Sequence, residues 1–235
     1  MENSCDLLIV VPARSGSKGV PDKNIRLLGG KPLLSWTAQA ITNASVPNSL
    51  ALLSTDSEIY AEVGRRSGLT VPFLRPASYA TDGASSIQVL EHALSWFRQQ
   101  YSYLPAWTML LQPTSPFRSP TIIRQAMDMI QDDSADAVIG CKPIFRDLTT
   151  LFRCDAGFLQ PLDTAAPTQS SRQQTQALLT PNGAMYLCKT AFLLAHQSFY
   201  PSKTAPLTMG AVQSLDIDTE EDWAMAEAFI KQGLV

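Results

Sequence analysis

Residues 7–19 read LLIVVPARSGSKG, an uninterrupted apolar run followed directly by a loop of small and basic residues. A strand whose residues are all apolar, as from Leu7 to Val11, is typical of a sheet that is covered on both faces. Pro12 and the glycines behind it end this strand. We therefore predict a central strand whose C-terminal end opens into a loop at the edge of the sheet.

The remainder of the chain alternates short apolar runs with longer segments of helical periodicity. Further strands are predicted at 50–54, 108–111, 137–141, 184–187 and 212–217, and helices at 32–43, 56–66, 86–101, 120–131 and 220–231. This alternation indicates a sheet with helices on both faces. The predicted fold class is α/β with a mostly parallel central sheet.

The alternation stops between residues 142 and 180, where prolines and polar residues replace the apolar runs. A long irregular segment in a compact α/β domain usually carries function, a partner contact or disorder. The sequence thus predicts an α/β domain built from residues 1–141 and 183–235, which is interrupted by an insert at 142–182.

Composition and charge exclude several kinds of protein. The 235 residues are 45% hydrophobic and 17% charged, which is typical of a globular domain. The formal net charge is −3 and no basic run occurs, so nucleic acid is not expected as a partner. No apolar stretch approaches the roughly 20 residues that cross a bilayer, and Glu2 and Asp6 stand where a signal peptide is basic. We therefore expect no membrane contact and a cytoplasmic location. The 4 cysteines form no CxxC pair, which argues against a zinc site or a disulfide scaffold.

The loop after the first strand has the composition of a polyphosphate site. Glycines let backbone N–H groups approach an anion, while hydroxyl and basic side chains add donors and positive charge. The spacing matches neither a Walker loop nor GxGxxG. A surface turn with incidental basic residues is the alternative, but open α/β sheets bind ligands at this edge. The residues concerned are Arg14, Ser15, Gly16, Ser17, Lys18, Gly19 and Lys23.

A pair of carboxylates stands near the other end of the chain, in Ser214-Leu215-Asp216-Ile217-Asp218. In the strand predicted at 212–217, Asp216 and Asp218 would point to one side and Ile217 to the other. Two carboxylates on one side can bind Mg²⁺, which keeps most of its waters and bridges to phosphates. The alternative for Asp218 is that it only caps the helix predicted at 220–231, whereas Asp216 lies too early to do so.

Seven short motifs follow one another along nearly the whole chain. They are Pro12-Ala13-Arg14-Ser15-Gly16-Ser17-Lys18-Gly19 with Lys23-Asn24; Ser54-Thr55-Asp56; Leu74-Arg75-Pro76-Ala77 with Asp82, Ser85 and Ser86; Leu111-Gln112-Pro113-Thr114-Ser115-Pro116; Arg172-Gln173; Pro181-Asn182-Gly183-Ala184-Met185-Tyr186; and Asp216-Ile217-Asp218-Thr219-Glu220. Together they resemble the acylneuraminate cytidylyltransferases, the enzymes that make CMP-sialic acids. In the related enzymes that activate 3-deoxy-octulosonate an Arg replaces the Ser17-Lys18 pair, and that branch is the alternative within the class.

The resemblance implies a Rossmann-like nucleotidyltransferase sandwich and a reaction of CTP with a nine-carbon 2-keto sugar acid. The products would be the CMP-sugar and pyrophosphate. Because the anomeric 2-hydroxyl attacks the α-phosphorus, such an enzyme neutralises the triphosphate and aligns the nucleophile with the leaving group. The resemblance also implies a homodimer, in which the insert at about 142–180 contacts the partner subunit and adds residues to its sugar site.

The same resemblance assigns roles to individual residues. It implies that Arg14, Lys18, Lys23 and Asp216 are catalytic, and that Asp216 and Asp218 bind Mg²⁺ as the cofactor. His92 and His196 are expected to be ordinary helix residues rather than catalysts. The nucleotide is expected to contact Arg14, Ser15, Gly16, Ser17, Asn24, Arg75, Ala84 and Ser86, and the sugar acid to contact Gln112, Arg172, Phe199 and Tyr200.

Two departures from the family pattern concern the sugar. Many members carry an Arg where this chain has Thr180, and a Lys where Leu148-Thr149-Thr150-Leu151 stands. Either another group such as Arg146 compensates, or the acid is a relative of sialic acid such as legionaminic or pseudaminic acid. Two readings outside this activity stay open: a metal-dependent glycosyltransferase that holds a nucleotide-sugar with its Asp-x-Asp pair, and a protein that binds the nucleotide without turnover.

Overall fold

The computed structural model describes residues 5–81, 83–145, 151–162 and 178–235. The strands are β1 (Leu7–Pro12), β2 (Leu27–Leu28), β3 (Lys31–Pro32), β4 (Ser49–Ser54), β5 (Trp107–Leu110), β6 (Ala137–Ile144), β7 (Phe152–Asp155), β8 (Phe158–Pro161), β9 (Leu178–Lys189) and β10 (Thr204–Thr208). The α-helices are α1 (Leu33–Ala44), α2 (Glu58–Arg66), α3 (Ser86–Tyr101), α4 (Pro120–Asp128), α5 (Thr190–His196) and α6 (Glu220–Lys231). Within these ranges no helix has both the length and the apolar character needed to cross a membrane.

The strand that opens the chain lies inside a six-stranded sheet of order β10-β6-β9-β5-β1-β4. β1 runs parallel to β4 on one side and to β5 on the other, and β10 runs parallel to β6. Only β9, within this sheet, is antiparallel to its neighbours. The predicted α/β class with a mostly parallel central sheet is therefore confirmed.

Alternate residues of β1 enter two different cores. Leu7, Ile9 and Val11 belong to the cluster that contains the buried faces of α1 and α4. Leu8 and Val10 belong to the cluster that contains the buried face of α3. Because both faces of this strand are covered, a polar residue at any of these positions would be buried without a partner, and truncation of one to Ala costs about 2–5 kcal/mol.

Side-chain caps place the start of two predicted helices. In α3, Ser85 Oγ accepts from the Gln88 N–H, and the Gln88 side chain accepts from the Ser85 N–H. Thr219 and Asp222 form the same reciprocal pair at α6. The N-cap of α6 is thus Thr219, and the interpretation of Asp218 as the cap is wrong.

The strand predicted at 212–217 is not present. Residues 211–214 form a turn and 215–218 have no strand partner; the Ile217 N–H is instead bonded to the Thr114 carbonyl oxygen at 2.8 Å. The strand of the six-stranded sheet that the sequence analysis missed is β10, which occupies an edge of that sheet. Its Pro206 and half-exposed residues weaken the strand pattern, and proline is tolerated at an edge because no ladder bond is lost there.

The predicted insert at 142–182 overlaps the main sheet at both of its ends. β6 continues to Ile144 and pairs with β9 from Leu178 onward, so residues 142–144 and 178–182 belong to the main sheet. Between them β7 and β8 form a hairpin whose two-residue turn has φ of 47° at Ala156 and 85° at Gly157, values typical of a tight hairpin turn. Residues 146–150 and 163–177, with Arg146, Thr149 and Arg172, lie outside the described residues.

Candidate active site

The loop after β1 and the segment before α6 meet at one place. We call residues 13–24 the basic loop and residues 214–218 the acidic segment. Lys23 Nζ donates to the Ile217 carbonyl oxygen at 2.5 Å and to Asp218 Oδ1 at 3.0 Å. A Cβ on Gly19 would lie 2.1 Å from the Asp218 carbonyl oxygen, so only glycine allows this approach. The predicted positive and negative groups therefore face each other directly.

A cavity of about 270 Å³ opens where these two segments meet, at the C-terminal ends of β1 and β5. Ligands of open α/β sheets bind at this edge. Nine residues that the sequence analysis assigned to the site line it: Arg14, Ser17, Lys23, Asn24, Arg75, Ala84, Ser86, Gln112 and Asp218. The remaining wall consists of Pro12, Tyr79, Thr81, Val89, Pro113 and Thr114.

One wall of this cavity holds a buried guanidinium with unused donors. Arg75 is 5% exposed, and its Nε and one terminal nitrogen have no hydrogen-bond partner within the described residues. Burial lowers the pKa of Arg75, the charge of Asp56 opposes this, and the charge of Arg14 adds to it. Buried donors without acceptors are costly, so this wall suits a ligand that offers acceptor atoms.

The basic loop is held by its own polar groups and by the strand beside it. Asn24 is 6% exposed and donates to the Arg14 carbonyl oxygen at 3.2 Å, while the Lys23 N–H donates to Ser17 Oγ at 3.2 Å. Ser15 is turned to the Asp56 carboxylate and is not a lining residue of the cavity. Gly16 and Lys18 are exposed and do not line the cavity either.

Asp216 lies deeper than Asp218. Burial raises the pKa of Asp216, a hydrogen bond from Thr114 and the charge of Lys23 lower it, and the charges of Asp218 and Asp222 raise it further. Its Oδ1 is buried and has no hydrogen-bond partner in the described part of the chain. The Asp218 side chain is 73% exposed. The two carboxylates are thus near each other electrostatically, although they are not carried by a strand.

These carboxylates fit the modest demands of Mg²⁺. No cluster of three or more His, Cys, Asp or Glu groups suitable for a metal occurs in the described ranges. Mg²⁺ needs only one or two carboxylates when waters and substrate phosphates complete its octahedron. The unpaired Oδ1 of Asp216 has the chemistry that such a ligand needs, because a cation beside it would offset the cost of its burial.

Of the described residues assigned to the sugar acid, Gln112 alone lines the cavity. A Cβ on Gly183, whose φ is 78°, would lie 3.0 Å from Gln112 Oε1 and 3.3 Å from Asp216 Oδ2, so Gln112 and Asp216 flank the same point. Phe199 is buried against Tyr186, with ring centroids 4.9 Å apart, as a core aromatic. Tyr200 is half exposed, and Arg172 lies outside the described residues.

Thr180, which stands where the family pattern has an Arg, has a basic residue as its partner across the sheet. Thr180 lies in β9 directly opposite Lys142 in β6. Side chains of opposed residues in an antiparallel pair share one face of the sheet. A basic residue therefore stands across from the position where the family pattern has an Arg.

Buried polar residues that the sequence analysis did not assign hold the two halves of the site together. Arg118 donates to the Ala184 carbonyl oxygen at 2.8 Å and to the Gln112 carbonyl oxygen at 2.9 Å. Burial lowers its pKa to about 9, so it stays protonated at neutral pH, and the charge of Asp216 opposes the shift. Asn182 donates to Ser214 Oγ at 2.9 Å and so fixes the acidic segment. Asn182 was within a quoted motif, whereas Arg118 follows one and could have been found from its charge in an apolar context.

The histidines have the structural roles expected of them. His92, on α3, packs edge-on against Phe73 with ring centroids 4.6 Å apart and also contacts Tyr79. His196 ends α5 and stacks on Phe192 at 4.4 Å. Neither histidine lines the cavity.

Comparison with known proteins agrees with this geometry. The chain is 34% identical over 227 residues to the CMP-N,N'-diacetyllegionaminic acid synthase of Legionella pneumophila, covering 96% of each protein. It is 34% identical over 220 residues to the N-acylneuraminate cytidylyltransferase of Streptococcus agalactiae, covering 92% of this chain but 51% of that one, so it spans about half the length of that relative.

Solved structures show the same fold. A structure of CMP:2-keto-3-deoxy-manno-octonic acid synthetase complexed with CTP matches 97% of this chain and 99% of its own, with a TM-score of 0.68 and 16% identity. The 4-diphosphocytidyl-2C-methyl-D-erythritol synthase of Anaerococcus prevotii has a TM-score of 0.64 and 12% identity. The family model described as cytidylyltransferase matches residues 8–234, which is nearly the whole chain. The chain therefore belongs to the cytidylyltransferase family.

Proposed function

We propose that this enzyme transfers the CMP group of CTP to the 2-hydroxyl of a nine-carbon 2-keto sugar acid and releases pyrophosphate. The observation that carries the proposal is the contact between the basic loop and the acidic segment across one cavity, through the bonds of Lys23 to Ile217 and Asp218. Relatives named for the synthesis of CMP-legionaminic acid and for N-acylneuraminate cytidylyl transfer support the substrate class.

In this reaction the hydroxyl oxygen forms a bond to the α-phosphorus, and the bond to the bridging oxygen of pyrophosphate breaks. Arg14 and Lys23 stand at the cavity where they can neutralise the charge that grows on the leaving pyrophosphate. Lys18, which is exposed, adds charge to the entering triphosphate. The unused donors of Arg75 would bind acceptor atoms of the cytosine or ribose, with Asn24, Ala84 and Ser86 beside them.

Asp216 and Asp218 are the residues that would hold Mg²⁺. When bound there, the ion would polarise the α-phosphate and lower the pKa of the attacking hydroxyl. Gln112, which flanks the same point as Asp216, would orient the sugar acid. Because CTP is made and used in the cytoplasm, a cytoplasmic location is part of this proposal.

The active form would be a homodimer in which the β7–β8 hairpin meets a second copy of the chain. A lone two-stranded hairpin is marginally stable in water, and this one exposes large apolar side chains. Phe158, Leu159 and Leu162 are 72%, 70% and 62% exposed. The partner's hairpin region would bring Arg172 and the neighbouring residues to the sugar site. Sedimentation of the purified protein tests this, and a monomer at micromolar concentration would contradict it.

One assay tests the reaction class, the nucleotide and the acceptor together. The protein is incubated with CTP and Mg²⁺ and with sialic, legionaminic, pseudaminic or 3-deoxy-octulosonic acid, and pyrophosphate is measured. We expect release with a nine-carbon acid and with CTP rather than the other nucleoside triphosphates. Release with none of the acids would refute the proposal. Sugar transfer from a finished CMP-sugar would instead indicate a glycosyltransferase.

A further inference from the structure

Asp56 grips the basic loop from outside the cavity. It lies just beyond the end of β4, whose neighbour β1 leads into that loop. The Ser15 N–H donates to Asp56 Oδ1 at 2.8 Å, and the Ser15 hydroxyl donates to Asp56 Oδ2 at 2.7 Å. Both carboxylate oxygens are thus used on one residue of the loop. Asp56 is not among the residues that line the cavity, so its contacts are with the loop rather than with the space for a ligand.

A second residue that holds the basic loop lies on α2, the helix that follows Asp56. Tyr60, on the first turn of α2, is 2% exposed, and its hydroxyl donates to Asp22 Oδ1 at 3.1 Å. Asp22 has a φ of 49° and its carbonyl oxygen accepts from the N–H groups of Ile25 and Arg26. The loop is therefore fastened on both sides of its glycines, at Ser15 and at Asp22.

Asp56 also supplies a counter-charge. The charge of Arg14 lowers the pKa of Arg75, which means that the two guanidinium groups repel each other, and the charge of Asp56 opposes this. Burial by itself raises the pKa of Asp56, but the hydrogen bonds from Ser15 and the charge of Arg75 outweigh it and the net pKa is lowered. Asp56 is thus ionised at neutral pH and gives the basic loop a negatively charged neighbour.

We propose that Asp56 is a positioning residue, which assembles the basic loop for a triphosphate before the nucleotide arrives. A loop that is ordered in advance spares the nucleotide the entropic cost of ordering it, and that saving appears as affinity. The inference rests on the proposed function for the identity of the ligand. The clamp itself is a property of the nucleotide-free protein and is measured separately.

The test compares Asp56→Ala with wild type by two readouts. In the nucleotide-free protein, hydrogen exchange of the amides of residues 15–19 should become faster. In the assay, the KM for CTP should rise about tenfold or more, while the KM for the sugar acid stays unchanged and kcat changes by only about twofold to threefold. A role in overall stability would instead move both KM values and the melting temperature together.

Two variants serve as controls. Asp56→Asn has the same shape and can still accept from the Ser15 N–H and donate to its hydroxyl, so it should keep the slow exchange and lose only the counter-charge, with a smaller rise in the KM for CTP. Glu58→Ala removes a carboxylate two residues away whose side chain is 64% exposed and bonded to Arg65. It should leave exchange and both KM values at wild-type levels.

Faster exchange without a change in the KM for CTP would overturn the inference, as would a raised KM with unchanged exchange, which would indicate direct contact with the nucleotide. A wild type that neither binds CTP nor releases pyrophosphate would refute the proposed function and this inference with it. If Asp56→Ala does not fold, Tyr60→Phe removes the second anchor alone and should show the same pattern at smaller size. Wild-type exchange and a wild-type KM in that variant would overturn the inference.

Discussion

The basic loop and the β7–β8 hairpin are both short connections that leave the sheet, yet they are stabilised in different ways. The basic loop is fastened by named bonds to three other segments: Lys23 to the acidic segment, Ser15 to Asp56 and Asp22 to Tyr60. Every described residue of β7 and β8 is exposed, and the hairpin pairs only with itself among the named strands.

This difference distinguishes the proposed nucleotide site, most of whose residues line one cavity within one chain, from the proposed sugar site, most of whose described residues do not. The proposed nucleotide site has the Lys23 bonds, the approach of Gly19 to Asp218 and the buried donors of Arg75 in place within a single chain. Of the residues expected to contact the sugar acid, Gln112 lines the cavity, Phe199 and Tyr200 do not, and Arg172 lies outside the described residues. Under the proposed function, nucleotide binding is expected of the single chain, whereas sugar selection is expected to depend on the proposed dimer.

The largest expected effect is a loss of turnover at the proposed nucleotide site. Lys23→Ala removes the cation that bridges the basic loop and the acidic segment and that, under the proposed function, would face the leaving pyrophosphate. We expect kcat to fall by about 10²–10³, the size typical for loss of a group that stabilises transition-state charge. Pyrophosphate release measures it, with Lys31→Ala, in β3 and not among the residues that line the cavity, as the control that should keep wild-type turnover. A Lys23→Ala enzyme of near-normal activity would remove Lys23 from the mechanism.

A smaller effect comes from steric separation of the same two segments. Gly19→Ala places a Cβ 2.1 Å from the Asp218 carbonyl oxygen, so the basic loop has to move away. We expect the KM for CTP to rise about tenfold. Gly210→Ala is the matched control, because it lies away from the cavity and a Cβ there meets only Gln213 Oε1, at an ordinary contact distance of 3.9 Å. Equal KM values for the two variants would show that the contact is not needed.

Disrupting the β7–β8 hairpin should weaken binding of the sugar acid and leave binding of CTP unchanged. Replacing Phe158 and Leu159 together by Ser removes the apolar surface proposed to meet a second copy. We expect a monomer by sedimentation and a KM for the sugar acid raised several-fold, about 1 kcal/mol of lost binding, with the KM for CTP unchanged. Ile59→Ser, at an apolar residue of α2 that is 69% exposed, is the control and should remain a dimer. Loss of CTP binding in the hairpin variant would contradict the division between the proposed nucleotide and sugar sites.

The smallest expected effect is on how the melting temperature depends on pH, through His92. Burial, and then the charge of Arg75, lower the pKa of His92 below its ordinary 6.5. The unfolded chain therefore takes up the proton first as pH falls, so the stability tied to neutral His92 is complete above pH 6.5 and is lost below it. His92→Phe keeps the ring between Phe73 and Tyr79 and should flatten the change in melting temperature between about pH 7.5 and 5.5. An unchanged slope would contradict the assignment.

Much of the fold and of the nucleotide site was predictable because it depends on local pattern. The run from Leu7 to Val11 predicted a strand covered on both faces, and helical periodicity predicted the helices at 86–101 and 220–231. The position of Arg14 and Lys23 after a buried strand indicated the cavity that they line. The family resemblance, rather than any spacing, identified Arg75, which alone would have been interpreted as a surface ion pair.

Other features were not predictable because they depend on segments far apart in the chain. Asp216 and Asp218 were expected on a strand, but Asn182 and Thr114 hold the acidic segment as a loop. The edge strand β10 is stabilised by pairing with β6, which no local pattern around Pro206 reveals. Arg118 and Asp56 act through carbonyl and hydroxyl groups distant in sequence, so their roles became visible only with their partners.

The order of apolar and polar residues by itself determined the α/β class, the buried first strand and the basic loop that follows it, because burial and chain conformation are set by neighbouring residues. Only the tertiary structure decided that Lys23 reaches Ile217 and Asp218, that Gly19 lies against the Asp218 carbonyl group and that Asp56 clamps Ser15. These contacts join residues from 41 positions apart, for Ser15 and Asp56, to 199 positions apart, for Gly19 and Asp218, and such pairs are chosen by how the strands are ordered in the sheet.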